Sequence, residues 1–133
     1  MALKVVQGKR DDRQIAEGPP PERVLICGEL REILTAADYS HANVAIALSI
    51  KPTKAHYHEK FDEIYFILDG AITLKFYEPA TSRTWSQKLA ANELCIISKG
   101  THHKVIEASE PNRLCIITVP HFDTVDEHFS DKI

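Results

Sequence analysis

From residue 23 onward the apolar positions recur mostly every second residue, the period of a strand with one buried face. Val44, Ile46, Leu48 and Ile50 alternate with Asn43, Ala45, Ala47 and Ser49, and Pro52 ends the run. Glu63–Leu68 reads as another strand, rich in Ile, Tyr and Phe. Asp69-Gly70 then signals a hairpin turn, with a return strand over Ala71–Tyr77. A polar loop with Pro79 follows, and Thr84–Leu89, carrying Trp85 as a bulky anchor, is the next strand. Leu94–Ile97, His103–Glu107 and Arg113–Val119 complete the series, and Pro120 stops the last of them. Val24–Cys27 adds a short strand closed by Gly28. Residues 29–37 read two ways: Leu30, Ile33 and Leu34 have helical spacing, but an irregular edge strand fits as well. At least seven short strands with turn signals between them predict an all-β sandwich or barrel, not a β-α-β fold. No fixed-period repeat is visible.

The barrel is expected over residues 23–120, flanked by two less regular segments. Residues 1–22 are a polar lead ending in Pro19-Pro20-Pro21, which exclude helix and central strand there. This lead is expected to lie as an arm over the barrel or a partner. Residues 121–133 form an acidic tail, expected as an extended arm or short helix.

Composition narrows the function classes. The chain has 133 residues, 44% of them hydrophobic and 26% charged, which suits one soluble domain. A net charge of -3 argues against a nucleic-acid partner, since phosphate binding rests on clustered Lys and Arg. The densest basic spot, Lys9, Arg10 and Arg13, is interrupted by Asp11 and Asp12. No run approaches the roughly 18 apolar residues of a membrane helix, and no secretory signal is present. The three cysteines, Cys27, Cys95 and Cys115, each sit in an apolar run. An odd count in strand-like runs predicts free core thiols and a reducing, cytoplasmic setting.

The chemistry concentrates in His56-Tyr57-His58-Glu59-Lys60-Phe61-Asp62-Glu63. His56 and His58 are two residues apart, so on a strand they share a face and Tyr57 points away. Two imidazoles on one face can share a metal ion, and Glu63 at the start of the next strand supplies a carboxylate. That donor set suits Fe, Mn, Ni, Co or Zn as one divalent transition metal. If Glu63 points inward, so do Tyr65 and Ile67, while Ile64, Phe66 and Leu68 face the other way. A second histidine source follows in Gly100-Thr101-His102-His103, with Val105 on the face of His103.

These residues resemble the cupin family. Its first motif ends His-x-His, three or four residues, Glu, six residues, Gly; here His56, His58, Glu63 and Gly70 match position by position. Its second motif runs Gly, five residues, Pro-x-Gly, two residues, His; Gly100 and His103 keep their places. Asn92 stands for the first glycine, Ser98 for the proline, and Ile50 for the glycine opening the first motif. The departures touch turns and leave the ligand types intact. The resemblance implies a jelly-roll β-barrel binding one metal through His56, His58, Glu63 and His103. It also implies a small-molecule substrate, and a homodimer formed by edge strands or an exchanged N-terminal arm.

His41, His121 and His128 are expected at the surface, and His102 is expected to face out. Phe61, Phe66, Phe76, Tyr77 and Trp85 are expected mainly as core. Tyr65 shares a face with Glu63 and is the aromatic expected in the pocket, as a catalytic residue. Glu107 and Lys54 are expected at the rim. The resemblance covers dioxygenases, isomerases, decarboxylases, lyases and non-catalytic binding proteins, and the fold does not choose among them. Oxidation of a small oxygenated molecule with O2 is the favoured reading. A ligand-binding or sensor domain and an isomerase or lyase on a sugar or hydroxy acid are the alternatives. Because the ligating histidines must be neutral, metal affinity is expected to fall as pH drops toward 6.

Overall fold

The computed structural model describes residues 3–6, 12–13, 16–17, 24–25, 27–123 and 125–133. Most of the expected N-terminal arm, residues 1–22, and the side chain of Cys27 lie outside the described residues. In chain order the strands are β1 (Asp12–Arg13), β2 (Ala16–Glu17), β3 (Val24–Leu25), β4 (Cys27–Leu34), β5 (Asn43–Ile50), β6 (His56–Tyr57) and β7 (Asp62–Asp69). They continue as β8 (Ala71–Glu78), β9 (Arg83–Ala90), β10 (Leu94–Ile97), β11 (His102–Ala108), β12 (Arg113–Val119) and β13 (His128–Phe129). Among the described residues there is no helix.

Two antiparallel sheets carry the fold. One is ordered β1-β4-β5-β12-β7-β10 and the other β13-β6-β11-β8-β9, with β2 and β3 paired apart from them. This is the jelly roll that the motif resemblance implies. The ambiguous stretch after Gly28 resolves as the irregular strand: β4 pairs with β5, and its register shifts between Glu32 and Leu34. The hairpin at Asp69-Gly70 forms as expected. Gly70 has φ 79°, and a Cβ there would lie 2.5 Å from Ser109 Oγ and 2.6 Å from the Pro111 carbonyl oxygen, so no other residue fits.

The core lies between the sheets, where Ile67, Leu74 and Leu114 are fully buried. Strand β7 alternates as expected: Glu63, Tyr65 and Ile67 are buried, and Ile64, Phe66 and Leu68 are only partly so. Strand β5 uses its alternation the other way round. Ala47 is its fully buried residue, while Val44, Ile46 and Leu48 are half-exposed on the outer face. Ser49 has φ 59°, and this local break brings Ile50 back to the interior at 4% exposure. The small alanines let the sheets approach, and the large side chains are left outside. Cross-strand partners therefore form an apolar outer row of Ile96, Ile64, Ile117, Val44 and Leu34. Cys115 lies in the parallel row, between Phe66 and Ile46, so it is an outer-face thiol and not a core one. Cys95 instead packs against the core, and both thiols are free.

The tail takes its extended form. β13 pairs with β6 through His128↔Tyr57 and Phe129↔His56, adding an edge to the smaller sheet beside the histidine motif.

Candidate metal centre

The two motifs meet at one end of the barrel. His103, on β11, is the direct cross-strand partner of His56, on β6. His58 follows β6, and Glu63 comes from β7 in the opposite sheet. Gly100 N–H donates to the His58 carbonyl at 2.6 Å and ties the second motif to the first. Gly100 itself has φ 85°. Asn92, which replaces the family's glycine, has φ 71°; asparagine is among the few residues that tolerate this left-handed region. The sequence departure there leaves the turn intact.

One ligand atom from each of His56, His58, Glu63 and His103 lies within 4.8 Å of the others, and all four residues are buried. The imidazoles are oriented by backbone carbonyls. His56 Nδ1 donates to the Lys54 oxygen at 2.9 Å, His58 Nδ1 to the Asp126 oxygen at 2.7 Å, and His103 Nδ1 to the Thr101 oxygen at 3.1 Å. A carbonyl only accepts, so each Nδ1 carries its hydrogen and each Nε2 is left for a ligand. Glu63 Oε1 lies 2.8 Å from His58 Nε2 and 3.2 Å from His103 Nε2. These contacts are short but misaligned for hydrogen bonding, and Glu63 Oε1 and His103 Nε2 are buried without a hydrogen-bond partner. Buried polar atoms are nearly always paired, so converging orphans on a carboxylate and an imidazole fit a divalent cation.

The electrostatics without metal are those of an ion pair inside a neutral cluster. Burial, with His103 beside it, holds the His56 pKa down at about 3. Burial also opposes a charge on His58, but the Glu63 carboxylate overrides it and raises that pKa to about 9. Burial works against the Glu63 charge too, yet the neighbouring histidines hold its pKa well below the ordinary carboxylate value.

Sequence reasoning missed Asp126. Its side chain accepts the Glu59 N–H at 3.0 Å and the Lys60 N–H at 2.8 Å, while its carbonyl fixes His58. Burial works against its charge, but those N–H groups and His128 prevail and lower its pKa. Asp126 thus clamps the turn after His58 from a distant part of the chain. Its spacing from the motif carries no local signal. Asp126, Glu59 and His128 also form a second cluster, but the Asp126 oxygens are already committed to backbone N–H groups.

His102 corrects an expectation. It does turn away from the metal position, but it is only 9% exposed. Its ring stacks on Tyr57 at 4.1 Å and its Nδ1 meets Ser130 Oγ at 2.5 Å, because the tail covers this face. Tyr57 accordingly points away from the metal ligands. His128 is half-exposed and bonded to Asp126 at 3.1 Å, His121 is half-buried, and His41 is exposed. Phe61 is buried and stacks on His58 at 4.3 Å, with Phe122 beyond it at 5.5 Å. Tyr65 is buried and meets His103 edge-on at 6.4 Å. Phe76 is core and Trp85 stacks on it from the half-exposed side. Glu107 and Lys54 are exposed, with Lys54 Nζ over the Phe129 ring.

The chain matches no family model and no curated protein. It does resemble solved structures. A protein from Planctomyces limnophilus is 20% identical, with 97% of each chain covered and a TM-score of 0.69. Oxalate decarboxylase from Bacillus subtilis, described for its Mn(II) centres, is 12% identical with a TM-score of 0.72; 97% of this chain covers 33% of that one. KdgF from Halomonas sp. is 12% identical, with 71% of this chain covering 80% of that one and a TM-score of 0.60. Identities this low speak for the fold alone, and two antiparallel sheets closed over the paired histidine motifs give the chain a cupin-type jelly-roll fold.

Proposed function

We propose that the chain is a metal-dependent enzyme that binds one divalent transition metal through His56, His58, Glu63 and His103 and oxidises a small oxygenated organic molecule with O2. The observation that carries the metal reading is the convergence of three Nδ1-anchored imidazoles on a buried carboxylate. When bound, the metal supplies Lewis-acid and redox chemistry at the coordination positions the four residues leave open. The chain's own residues hold the imidazole tautomers and exclude water. Phe61 and Phe122 wall the site beside His58, and Tyr65 lines it beside His103, where it is proposed to hold the substrate as a catalytic residue.

The wall chemistry favours oxidation over sugar-phosphate chemistry. Three neutral imidazoles and one carboxylate leave a net charge of about +1 around a divalent ion. Phe61 and Phe122 beside His58 and Tyr65 beside His103 offer an apolar chelator aromatic walls. The test is O2 uptake by Fe(II)-loaded protein offered catechols, β-diketones and 2-hydroxy acids. Uptake with at least one class, abolished in Glu63→Ala, is expected. Binding of these compounds without O2 uptake or other turnover would instead make the domain a ligand-binding module.

Among the described residues no helix is long and apolar enough to cross a membrane. The free thiols Cys95 and Cys115 support the proposed cytoplasmic setting. A homodimer is proposed through the outer face of the larger sheet. Leu94 and Ile96 on its edge are 51% and 65% exposed and continue the apolar rows described above. Five strands about 4.8 Å apart and ~20 Å long project roughly 500 Å², which doubled across two copies reaches the lower bound of about 1,000 Å² for a specific interface. The row of Ile96, Ile64, Ile117, Val44 and Leu34 makes this an apolar face. A second copy presents a self-complementary one. Light scattering at micromolar concentration should give a dimer mass that falls to the monomer in Ile96→Glu; a monomeric parent would sink the idea.

A further inference from the structure

The buried hydroxyl of Thr118 is unexplained by the fold. Thr118 on β12 is the direct cross-strand partner of Glu63 on β7. Directly opposite residues project from the same face, so both side chains enter the same interior. Thr118 is 4% exposed. Its Oγ1 joins Glu63 Oε1 and His103 Nε2 as the buried side-chain atoms without a hydrogen-bond partner among the described residues. Two of these three orphans belong to the metal ligands themselves. The third stands one strand away, on the same row as Glu63.

The surrounding fold offers it little. On its other side Thr118 pairs with Asn43, whose side-chain oxygen already accepts the Phe122 N–H at 3.0 Å. A buried hydroxyl left unmade is costly, and valine would fill the same volume without that cost. A threonine in this place is accounted for by a partner that arrives with a ligand.

We infer that Thr118 donates its hydroxyl hydrogen to an oxygen atom of the exogenous ligand bound at the metal beside Glu63, and so selects oxygen-donor ligands with a free lone pair. This inference rests on the metal reading above. It adds a ligand-positioning residue on β12, which neither histidine motif contains. The hydroxyl and the carboxylate project from the same face of adjacent strands, so a chelating ligand held at the metal by one oxygen would be oriented by the hydrogen bond to the other.

The probe is acetohydroxamate, an oxygen chelator, titrated into Co(II)-loaded protein and followed by the visible absorption of the metal. Thr118→Val should bind it about tenfold more weakly, the worth of one hydrogen bond to a charged or polarised oxygen. Thr118→Ser, which keeps the hydroxyl, should stay close to the parent. Co(II) content should be the same in all three proteins. Without metal, Thr118→Val should melt at or above the parent temperature, because it removes an unpaired hydroxyl. Equal hydroxamate affinity in Thr118→Val and the parent overturns the inference and leaves the metal reading standing. A parent that takes up no Co(II) overturns both. If Thr118→Val fails to fold, a hydroxamate affinity in Thr118→Ala equal to that of the parent overturns the inference in its place.

Discussion

Glu63→Ala is expected to abolish metal binding and to destabilise the metal-free protein as well. Glu63 is the one anionic ligand, and it is buried with three imidazoles around it. Changing partners that merely orient a ligand costs about 10–100-fold in metal affinity, and removing the charged ligand itself should exceed the upper end. Without metal the same change strips His58 of the carboxylate that raises its pKa to about 9. Breaking a buried pair from one side costs about 3–5 kcal/mol, and the lower end applies here because His58 can lose its proton. Glu59→Ala, at an exposed position nearby, serves as the control and should keep its metal. Metal analysis and thermal melting read both effects. Full metal occupancy in Glu63→Ala would refute the assigned ligand set.

Metal uptake near pH 7 should release about one proton per ion, and it comes from His58. The sign follows from the metal-free site. His58 is protonated until about pH 9 because of Glu63, and a ligating Nε2 must give up its hydrogen. Affinity should therefore rise about tenfold per pH unit up to about pH 9, and not level off just above pH 6 as free histidines suggest. Stability of the metal-free protein follows His58 on the alkaline side, and His56 together with the lowered Glu63 on the acid side. The raised His58 pKa contributes stability that is complete below its unfolded value of 6.5 and lost as pH rises through about 9. The depressed His56 pKa contributes stability that is complete above 6.5 and lost as pH falls toward about 3. Metal-free melting should peak near pH 6.5, and calorimetric titrations in buffers of different ionisation enthalpy should return the proton count. A metal affinity independent of pH between 6 and 9 would contradict the ion pair.

The cluster of His56, His58, Glu63 and His103 was legible because its geometry is local. His-x-His places two imidazoles on one face wherever the segment is extended, and the hairpin at Gly70 sets the strand that carries Glu63. Strand spacing likewise disclosed an all-β sandwich or barrel, down to the turn at Asp69-Gly70. The errors arose where burial depends on what lies across the sheet. In β5 the alternation shows two faces but not which is inside; the small residues Ala45 and Ala47 are the inward ones there, and the break at Ser49 reverses the phase. His102 reads as outward from its neighbour, yet the tail covers it, and its hydrogen-bond partner Ser130 lies 28 positions away. Thr118 and Asp126 carry no motif because what each faces, Glu63 across the sheet and the turn at Glu59 and Lys60, is distant in the chain.

The hydrogen bond from His58 to the Asp126 carbonyl spans 68 positions. At about 5–20 residues per second of synthesis, the chain presents His56, His58 and Glu63 for roughly 3–14 s before Asp126 exists. Through that interval the tautomer of His58 is unfixed and the turn after it is unclamped. Affinity among divalent ions then follows the order that favours copper and zinc over iron and manganese. An ion captured before Asp126 is in place would be chosen by that order and by the free metal pool, and one captured afterwards by the closed site.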